Sequence, residues 1–434
     1  MRFFSSVYKK MTSKIFTNSL WMMSEKLIAI IGLIFVTSFV AQYIGPENFG
    51  KLTFAASIFA IVQTIAMFGS DNIFFQKTSK NRVTGERLIL ATRPVRDFLY
   101  LICSTCLLFF LYFYTDRLTF VFSVASCVAI YFALHDVYSI YFNAILQSKV
   151  NALCNVIALF VSLIIRYIVV KFQLAIEWLS LPIILVTMIP FLMRKMIFNK
   201  NKVNKNKILD KKMNLYRRYM LGVGKKLVLY TLSVAIFTKT SQLFLGIKSS
   251  YDLGVYTVAV TLGTSFYFVL TALISSFMTQ IYIEKDFDQS QNMVAKLNAI
   301  VILISLCALI FFTIFGKWIV TFLYGSAYYE VNNILLLMVM VCLFSGLSTV
   351  AEKYLIKFNA YDYLQKKTNI LIIFNLIITF FSVHFYGLYG AVFAILVTEI
   401  ISTTLFNYFF KSGLIFDTHK KMIQISTYLK NQKL

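Results

Sequence analysis

Along this chain the apolar positions neither alternate nor recur every third or fourth residue; they run on. Leu27–Ile44, Phe98–Tyr114, Val156–Val170 and Leu297–Phe315 are almost wholly apolar. A water-soluble core needs no stretch of this length, whereas a hydrocarbon layer about 30 Å thick takes about twenty such residues per helix. Backbone in lipid must satisfy its own hydrogen bonds, which leaves helices or a closed barrel. Barrel strands would alternate apolar and polar residues over about ten positions. These runs are continuous, so the pattern predicts helices, at about 20–44, 49–70, 98–114, 118–142, 150–170, 174–193, 221–247, 252–278, 297–315, 329–351, 367–385 and 387–411. The chain reads as an all-α polytopic membrane protein of about 12 transmembrane helices.

One segment breaks the rhythm. Arg194–Met220 (RKMIFNKNKVNKNKILDKKMNLYRRYM) is polar and rich in Asn and Lys. It predicts a cytoplasmic basic linker, 194–220, between an N-terminal six-helix lobe, 1–193, and a C-terminal six-helix lobe, 221–411, followed by a cytoplasmic tail, 412–434. Large transporters are often built from two such halves, although these two share no convincing sequence identity. The linker's lysines obey topology and suit anionic headgroups; a specific partner site is the competing reading. Connections on the other face are short, the longest around Gly316–Tyr328. No large external domain is expected, which weighs against enzymes that build polymers there.

Composition changes the picture at one point. A net charge of +24 would suggest nucleic acid as the partner of a soluble protein, but its distribution says otherwise. Of the 42 Lys and Arg, Lys51, Arg117, Lys171, Lys248 and Lys317 fall on one side of the spans, Lys26, Arg166 and Lys239 fall within them, and the rest gather on the other side. That is the positive-inside bias, and it places both termini in the cytoplasm. No nucleic-acid partner follows from the charge. The six cysteines all lie in expected spans. Cys103 and Cys106 form a C-x-x-C, but no basic neighbour is there to lower a thiol pKa.

The chemistry that is missing narrows the function. Gly222-Val-Gly-Lys-Lys226 lacks the spacing of a phosphate-cradling loop, and His135, His384 and His419 have no metal-ligand spacing. Neither a nucleotide-hydrolysing engine, a catalytic cluster, a metal nor a cofactor is expected; movement of a substrate would be coupled to H+ or Na+ or aided by another subunit. What remains is the ionisable residues inside spans, which are costly there and tend to face a wet cavity or a partner helix. Glu25 and Lys26 lie on the cytoplasmic third of the first span, Asp71 closes the second, and Asp136 is in the inner part of the fourth. Arg166 is in the outer part of the fifth, Lys239 past the midpoint of the seventh, and Glu399 near the middle of the twelfth. Lys26 and Arg166 are each within reach of a membrane surface by snorkelling, whereas Lys239 is too deep for that. Glu399 suits either a cavity or a helix–helix hydrogen bond, and Asp71 and Asp136 suit helix ends or ion pairs. With both signs of charge in the spans, an anionic ligand and a coupling cation could share one interior.

Four short motifs occur in order. Tyr43-Ile-Gly-Pro-Glu-Asn-Phe-Gly50 resembles the Y-L-G-P-E-x-F-G signature of polysaccharide flippases, the Wzx-type O-antigen transporters of the multidrug/oligosaccharidyl-lipid/polysaccharide exporter superfamily. Its physics is legible: Gly45 ends one helix, Pro46 suits the first turn of the next, and Glu47 complements its dipole. Leu253-Gly-Val-Tyr-Thr-Val-Ala259 resembles the family's V-G-x-Y-x-x-A, Phe322-Leu-Tyr-Gly-Ser-Ala-Tyr328 its L-x-G-x-x-Y loop, and Tyr386-Gly-Leu-Tyr-Gly-Ala391 its Y-G-x-x-G-A. One departure stands out: where members often carry Arg-x-Asp-Gln, this chain has Lys239-Thr-Ser-Gln242, with Ser241 in place of the carboxylate. Asp136 or Glu399 would have to supply an ion-coupling acid.

The resemblance implies a monomeric, non-enzymatic flippase of the bacterial cytoplasmic (inner) membrane. Its substrate would be a polyprenyl-pyrophosphate-linked oligosaccharide, such as an O-antigen repeat unit for lipopolysaccharide, moved by alternating access. The sugar would pass through a cavity while the polyprenyl tail stays in lipid, and polysaccharide polymerase and chain-length machinery would be partners. Lys26, Arg166 and Lys239 are the expected contacts for pyrophosphate or acidic sugar; Glu25, Asp71, Asp136 and Glu399 are the candidates for ion coupling. Two rivals are a multidrug or cation antiporter of the same superfamily, which the basic interior disfavours, and a membrane-embedded glycan polymerase or acyltransferase, which should show a catalytic cluster on an outer loop.

Overall fold

The structure, a computed structural model, describes residues 14–203, 210–410 and 413–424. Some side chains within the helices, those of Glu25 and Lys26 included, lie outside the described residues. Among the described residues all regular structure is helical. The order is α1 (Lys14–Met67), α2 (Ser70–Lys80), α3 (Arg82–Tyr114), α4 (Arg117–His135), α5 (Tyr138–Ala144), α6 (Ser148–Lys171), a short 3-10 turn (Ile176–Leu179) and α7 (Ser180–Asn201). Then come α8 (Asp210–Lys248), α9 (Ser250–Gly263), α10 (Tyr267–Ile283), α11 (Phe287–Tyr324), a second 3-10 turn (Ser326–Tyr328), α12 (Val331–Lys357), α13 (Tyr361–Thr403), α14 (Leu405–Tyr408) and α15 (Leu414–Ile423). The protein is a polytopic all-helical membrane protein.

Among the described residues, eight helices are long and apolar enough to cross a membrane, or nine if α9 and α10, bent by 41°, make one broken span. This is fewer than the twelve spans that hydropathy suggests. Part of the difference lies in two long helical stretches with a break inside. In α1 the backbone leaves helical geometry at Gly45 (φ 75°, ψ 170°), and in α13 at Gly387 (φ 53°, ψ −126°). Glycine reaches these positive φ values without the clash a Cβ would bring. The run Asp362–Tyr408 has 47 residues; at about 1.5 Å per residue it is roughly twice as long as the hydrocarbon layer is thick.

Several helices extend well past their apolar runs. α3 begins at Arg82, not near Phe98, because its polar first half is built as helix too. The Asn81 side chain caps the Thr84 N–H at 3.2 Å, and Arg82–Glu86 and Arg93–Asp97 stand one turn apart at 3.4 and 3.7 Å. The stretch that reads as a linker is likewise helical at both ends: α7 continues to Asn201 and α8 begins at Asp210.

The chain forms two compact units, one of 1–44 with 51–239, the other of 45–50 with 240–434. In the first, the core is aromatic: Phe59, Phe74, Tyr100, Tyr141, Phe142 and Phe198 are buried between α1, α2, α3, α5 and α7. Large apolar side chains such as Phe109, Phe113 and Phe160 face outward, as lipid-facing helices require. Asp116, in the turn between α3 and α4 and outside the spans, lies 3.3 Å from Lys51 of α1. Burial would raise the Asp116 carboxyl, but hydrogen bonds from Thr119 and Lys51 outweigh it and hold the group below its usual range. In the second unit, α12 is the central helix, with Val339, Leu347, Val350 and Tyr354 buried against α9, α10, α11 and α13.

The four motifs of the sequence meet in the second unit. A Cβ at Gly50 would lie 1.7 Å from the Ser250 carbonyl oxygen, and one at Gly254 only 2.0 Å from that of Pro46. The 45–50 turn therefore touches the start of α9 backbone to backbone, a closeness that small residues alone permit. Phe49 packs edge-on against Tyr328 at 6.5 Å. Asp252 lies beside Gly387. Lys248 Nζ donates to the Val383 and His384 carbonyls at 2.8 and 2.7 Å, covering acceptors that the break at Gly387 deprives of their helical partners. We expect Gly50→Ala and Gly254→Ala each to lower the thermal midpoint of the detergent-solubilised protein, since overpacking costs about 1–3 kcal/mol. Gly222→Ala, where a Cβ meets nothing within 4 Å, should leave the midpoint unchanged.

Candidate functional site

In the first unit, Arg166 is the sequence-predicted cation whose surroundings are most fully described. α6 is held against α1 and α7: Leu159 fills the space over Gly32, Tyr167 stacks on Phe39 at 6.4 Å, and Ser162 Oγ donates to the Pro182 carbonyl at 3.4 Å. Seven residues are nearly two full turns, so Arg166 shares the face of Leu159, which packs on α1. Arg166 is half-buried, and its Nε is fully buried with no hydrogen-bond partner among the described residues. No carboxylate pairs with it among those residues.

The other predicted cations fare differently. Lys239 is half-buried on α8, one residue before the second unit begins. Ser241, at the position of the family's carboxylate, is buried and shares a hydrogen bond with Tyr256 of the second motif. Lys26 and its neighbour Glu25 lie outside the described residues.

The acids are placed as follows. Asp71 is exposed in the first turn of α2, after the break at Phe68 and Gly69. Asp136 terminates α4 and accepts from Arg194 Nη1. Arg194 Nη2 in turn donates to the Asn151 carbonyl at 3.2 Å and to Asn155 Oδ1. Nearby, His135 Nε2 is 2.7 Å from Asp97 Oδ1, and Arg96 donates to the Leu134 carbonyl at 3.1 Å. A further cluster ties down the end of α7. Tyr141 donates to Glu86 Oε1 at 2.8 Å, the Val203 N–H joins the same oxygen at 3.1 Å, and Arg82 donates to Tyr141 and to the Asn201 carbonyl.

In the second unit a polar seam runs along α12 and α13. Glu399, half-buried, shares a hydrogen bond with Ser345. Buried Lys367 donates to Glu352 at 3.2 Å and to Asn407 Oδ1 at 3.0 Å. Ser348 and Ser402 are 2.9 Å apart, and Tyr267 and Thr349 2.8 Å. Asn375 donates to Thr398 at 3.1 Å, while Asn375 Oδ1 and Thr379 Oγ1, one turn apart, are buried with no partner among the described residues. No group of three or more His, Cys, Asp or Glu side chains among the described residues could hold a metal ion.

Residues 39–333 match the family model described as "Polysaccharide biosynthesis protein". The chain belongs to this family. Solved structures show the fold of this polysaccharide biosynthesis protein more widely. It is similar to a lipid II flippase MurJ in an inward closed conformation (TM-score 0.69, 14% identity, 94% of this chain and 91% of that one). It is also similar to a multidrug resistance MATE family transporter of the MOP superfamily, inward-facing (TM-score 0.62, 14% identity, 90% and 96%). A third is the eukaryotic MATE transporter AtDTX14 (TM-score 0.53, 14% identity, 93% and 94%). At such identities the likeness is one of fold. No curated protein sequence matches the chain.

Sequence reasoning missed Arg194 and Lys367 as interior residues of this family member. Both sit at the ends of apolar runs, where positive-inside charges are ordinary, and only the contacts reveal that they are buried. For Arg194→Met and Asp136→Asn singly we expect a loss of about 3–5 kcal/mol of stability, because each leaves a buried charge alone. The double variant should lose less than the sum. Thermal unfolding in detergent, read as a double-mutant cycle, checks this.

Proposed function

We propose that this protein is a flippase that moves a polyprenyl-pyrophosphate-linked oligosaccharide across the bacterial cytoplasmic membrane by alternating access. The observation that carries the reading is Arg166: a half-buried guanidinium on an apolar helix, its Nε buried, with no hydrogen bond or ion pair among the described residues. A desolvated cation without a countercharge is costly to keep. An anionic ligand repays that cost, and a guanidinium grips phosphate through two parallel N–H groups. Lys239, and Lys26 beyond the described side chains, are the further anion contacts in this reading. The polyprenyl tail stays in lipid, and the protein works as a monomer that hands its cargo to polymerising and chain-length machinery.

Glu399 is the coupling carboxylate in this proposal. Asp136 is engaged by Arg194 and Asp71 is exposed, whereas Glu399 lies in the polar seam of the second unit with a serine hydroxyl as its partner. A drug or cation antiporter would need acidic groups where Arg166 and Lys239 stand.

The test is the purified protein in liposomes with a fluorescent polyprenyl-pyrophosphate oligosaccharide, its arrival on the far leaflet read by quenching and its mass checked afterwards. We expect transfer with unchanged mass. Arg166→Met should slow it about ten- to a hundredfold, the worth of one charge-assisted hydrogen-bond pair, and Arg166→Lys should restore part. Glu399→Gln should remove the response to an imposed ion gradient. Drug efflux without lipid transfer, or an Arg166→Met rate equal to wild type, would overturn the proposal.

A further inference from the structure

The first unit holds a cavity of about 360 Å³ lined by Lys77, Thr84, Leu88, Leu215, Tyr216 and Tyr219, where α2, the start of α3 and the start of α8 come together. We infer that it binds an anionic phospholipid of the cytoplasmic leaflet, with the phosphate at Lys77 and the upper acyl chain against Leu88, Leu215 and the tyrosine rings. The inference goes beyond the transport reading and depends only on the orientation that the basic residues imply.

Three features argue for an amphiphile with a negative head. The walls are almost wholly apolar and aromatic, which inorganic phosphate does not need. The one charged group in the lining is a cation: Lys77 Nζ stands 4.9 Å over the Tyr219 ring, a placement that fixes the ammonium in the cavity. Lys77 forms no ion pair among the described residues, and Lys80 and Arg218 are exposed nearby on α2 and α8. The N-terminus of the long helix α3 opens beside Thr84 with no acid in its first turn, so the positive end of its dipole adds to the field. Glu86, the nearest acid along α3, is taken up by Tyr141, Val203 and Arg82.

The location agrees. α2 lies outside the spans, between Ser38–Met67 and Arg82–Tyr114, and tyrosine with lysine or arginine at span ends marks the headgroup level. Basic recesses between helices on the cytoplasmic side suit acidic headgroups. The α8 wall belongs to the fold: Arg217 Nε donates to the Ala91 carbonyl at 2.9 Å, and Met220 and Tyr216 join the aromatic core.

The experiment is native mass spectrometry of the full-length protein from micelles doped equally with phosphatidylglycerol and phosphatidylethanolamine, with thermal stability measured alongside. Wild type should retain phosphatidylglycerol preferentially. Lys77→Gln should lower that preference about five-fold, the effect of one basic residue at a headgroup, and Tyr219→Leu should lower it while keeping the apolar wall. Lys317→Gln, an equal loss of charge at the far end of a span, should not. If Lys77→Gln fails to fold, Lys80→Gln and Arg218→Gln at exposed positions give the same readout. Equal retention of the two lipids by wild type, an equal effect of Lys317→Gln, or full stabilisation by inorganic phosphate alone would overturn the inference. None of these outcomes touches the oligosaccharide assay, so the two proposals fail separately.

Discussion

A charge carried into hydrocarbon on a helix must find a partner, a water path or a ligand, and this constraint organises the interior of the molecule. Asp136 answers it with Arg194, and Glu352 with Lys367. Each pair spans two helices, so it also fixes how α4 meets α7 and how α12 meets α13. Satisfied groups of this kind are scaffold. On the apolar helix α6 none of the described residues answers Arg166, and the functional reading follows from that placement rather than from the abundance of positive charge.

The close backbone contacts of the second unit serve the same end by another route. Lipid offers no hydrophobic drive for helices to associate, so packing must do it. The glycines at 50 and 254 let a turn and a helix start approach until carbonyl oxygens fill the space of side chains. The sequence motifs that resemble a flippase signature are therefore read in the structure as a packing junction. The match over residues 39–333 says what family the chain belongs to, while the polar groups given a role in the proposed function lie on α6, α8 and α13.

How much of this was legible follows from what hydropathy measures. It finds the hydrocarbon-embedded part of a helix, so the middles of α3, α4, α6, α7, α11 and α12 were readable. It is blind to helix that continues into polar surroundings, which is why Arg82–Asp97 and Phe287–Lys296 were not assigned. The breaks at Gly45 and Gly387 were marked by Gly-Pro and Tyr-Gly in the motifs. That Asp136 suits a helix end or an ion pair was readable, but its partner was not, because Arg194 lies 58 residues away and looked like an ordinary flanking charge. Glu399 was singled out because a carboxylate in mid-span is conspicuous; Asn375 and Thr379, uncharged, gave no such signal.

The six residues 45–50 belong with a part of the molecule made much later. Their packing partner at Ser250 emerges from the ribosome about two hundred residues after Gly50, roughly ten to forty seconds at ordinary synthesis rates. Through that interval the turn waits with its glycine face uncovered. The start of α9 is what covers it, so the two ends of this junction are joined only once α9 has been made.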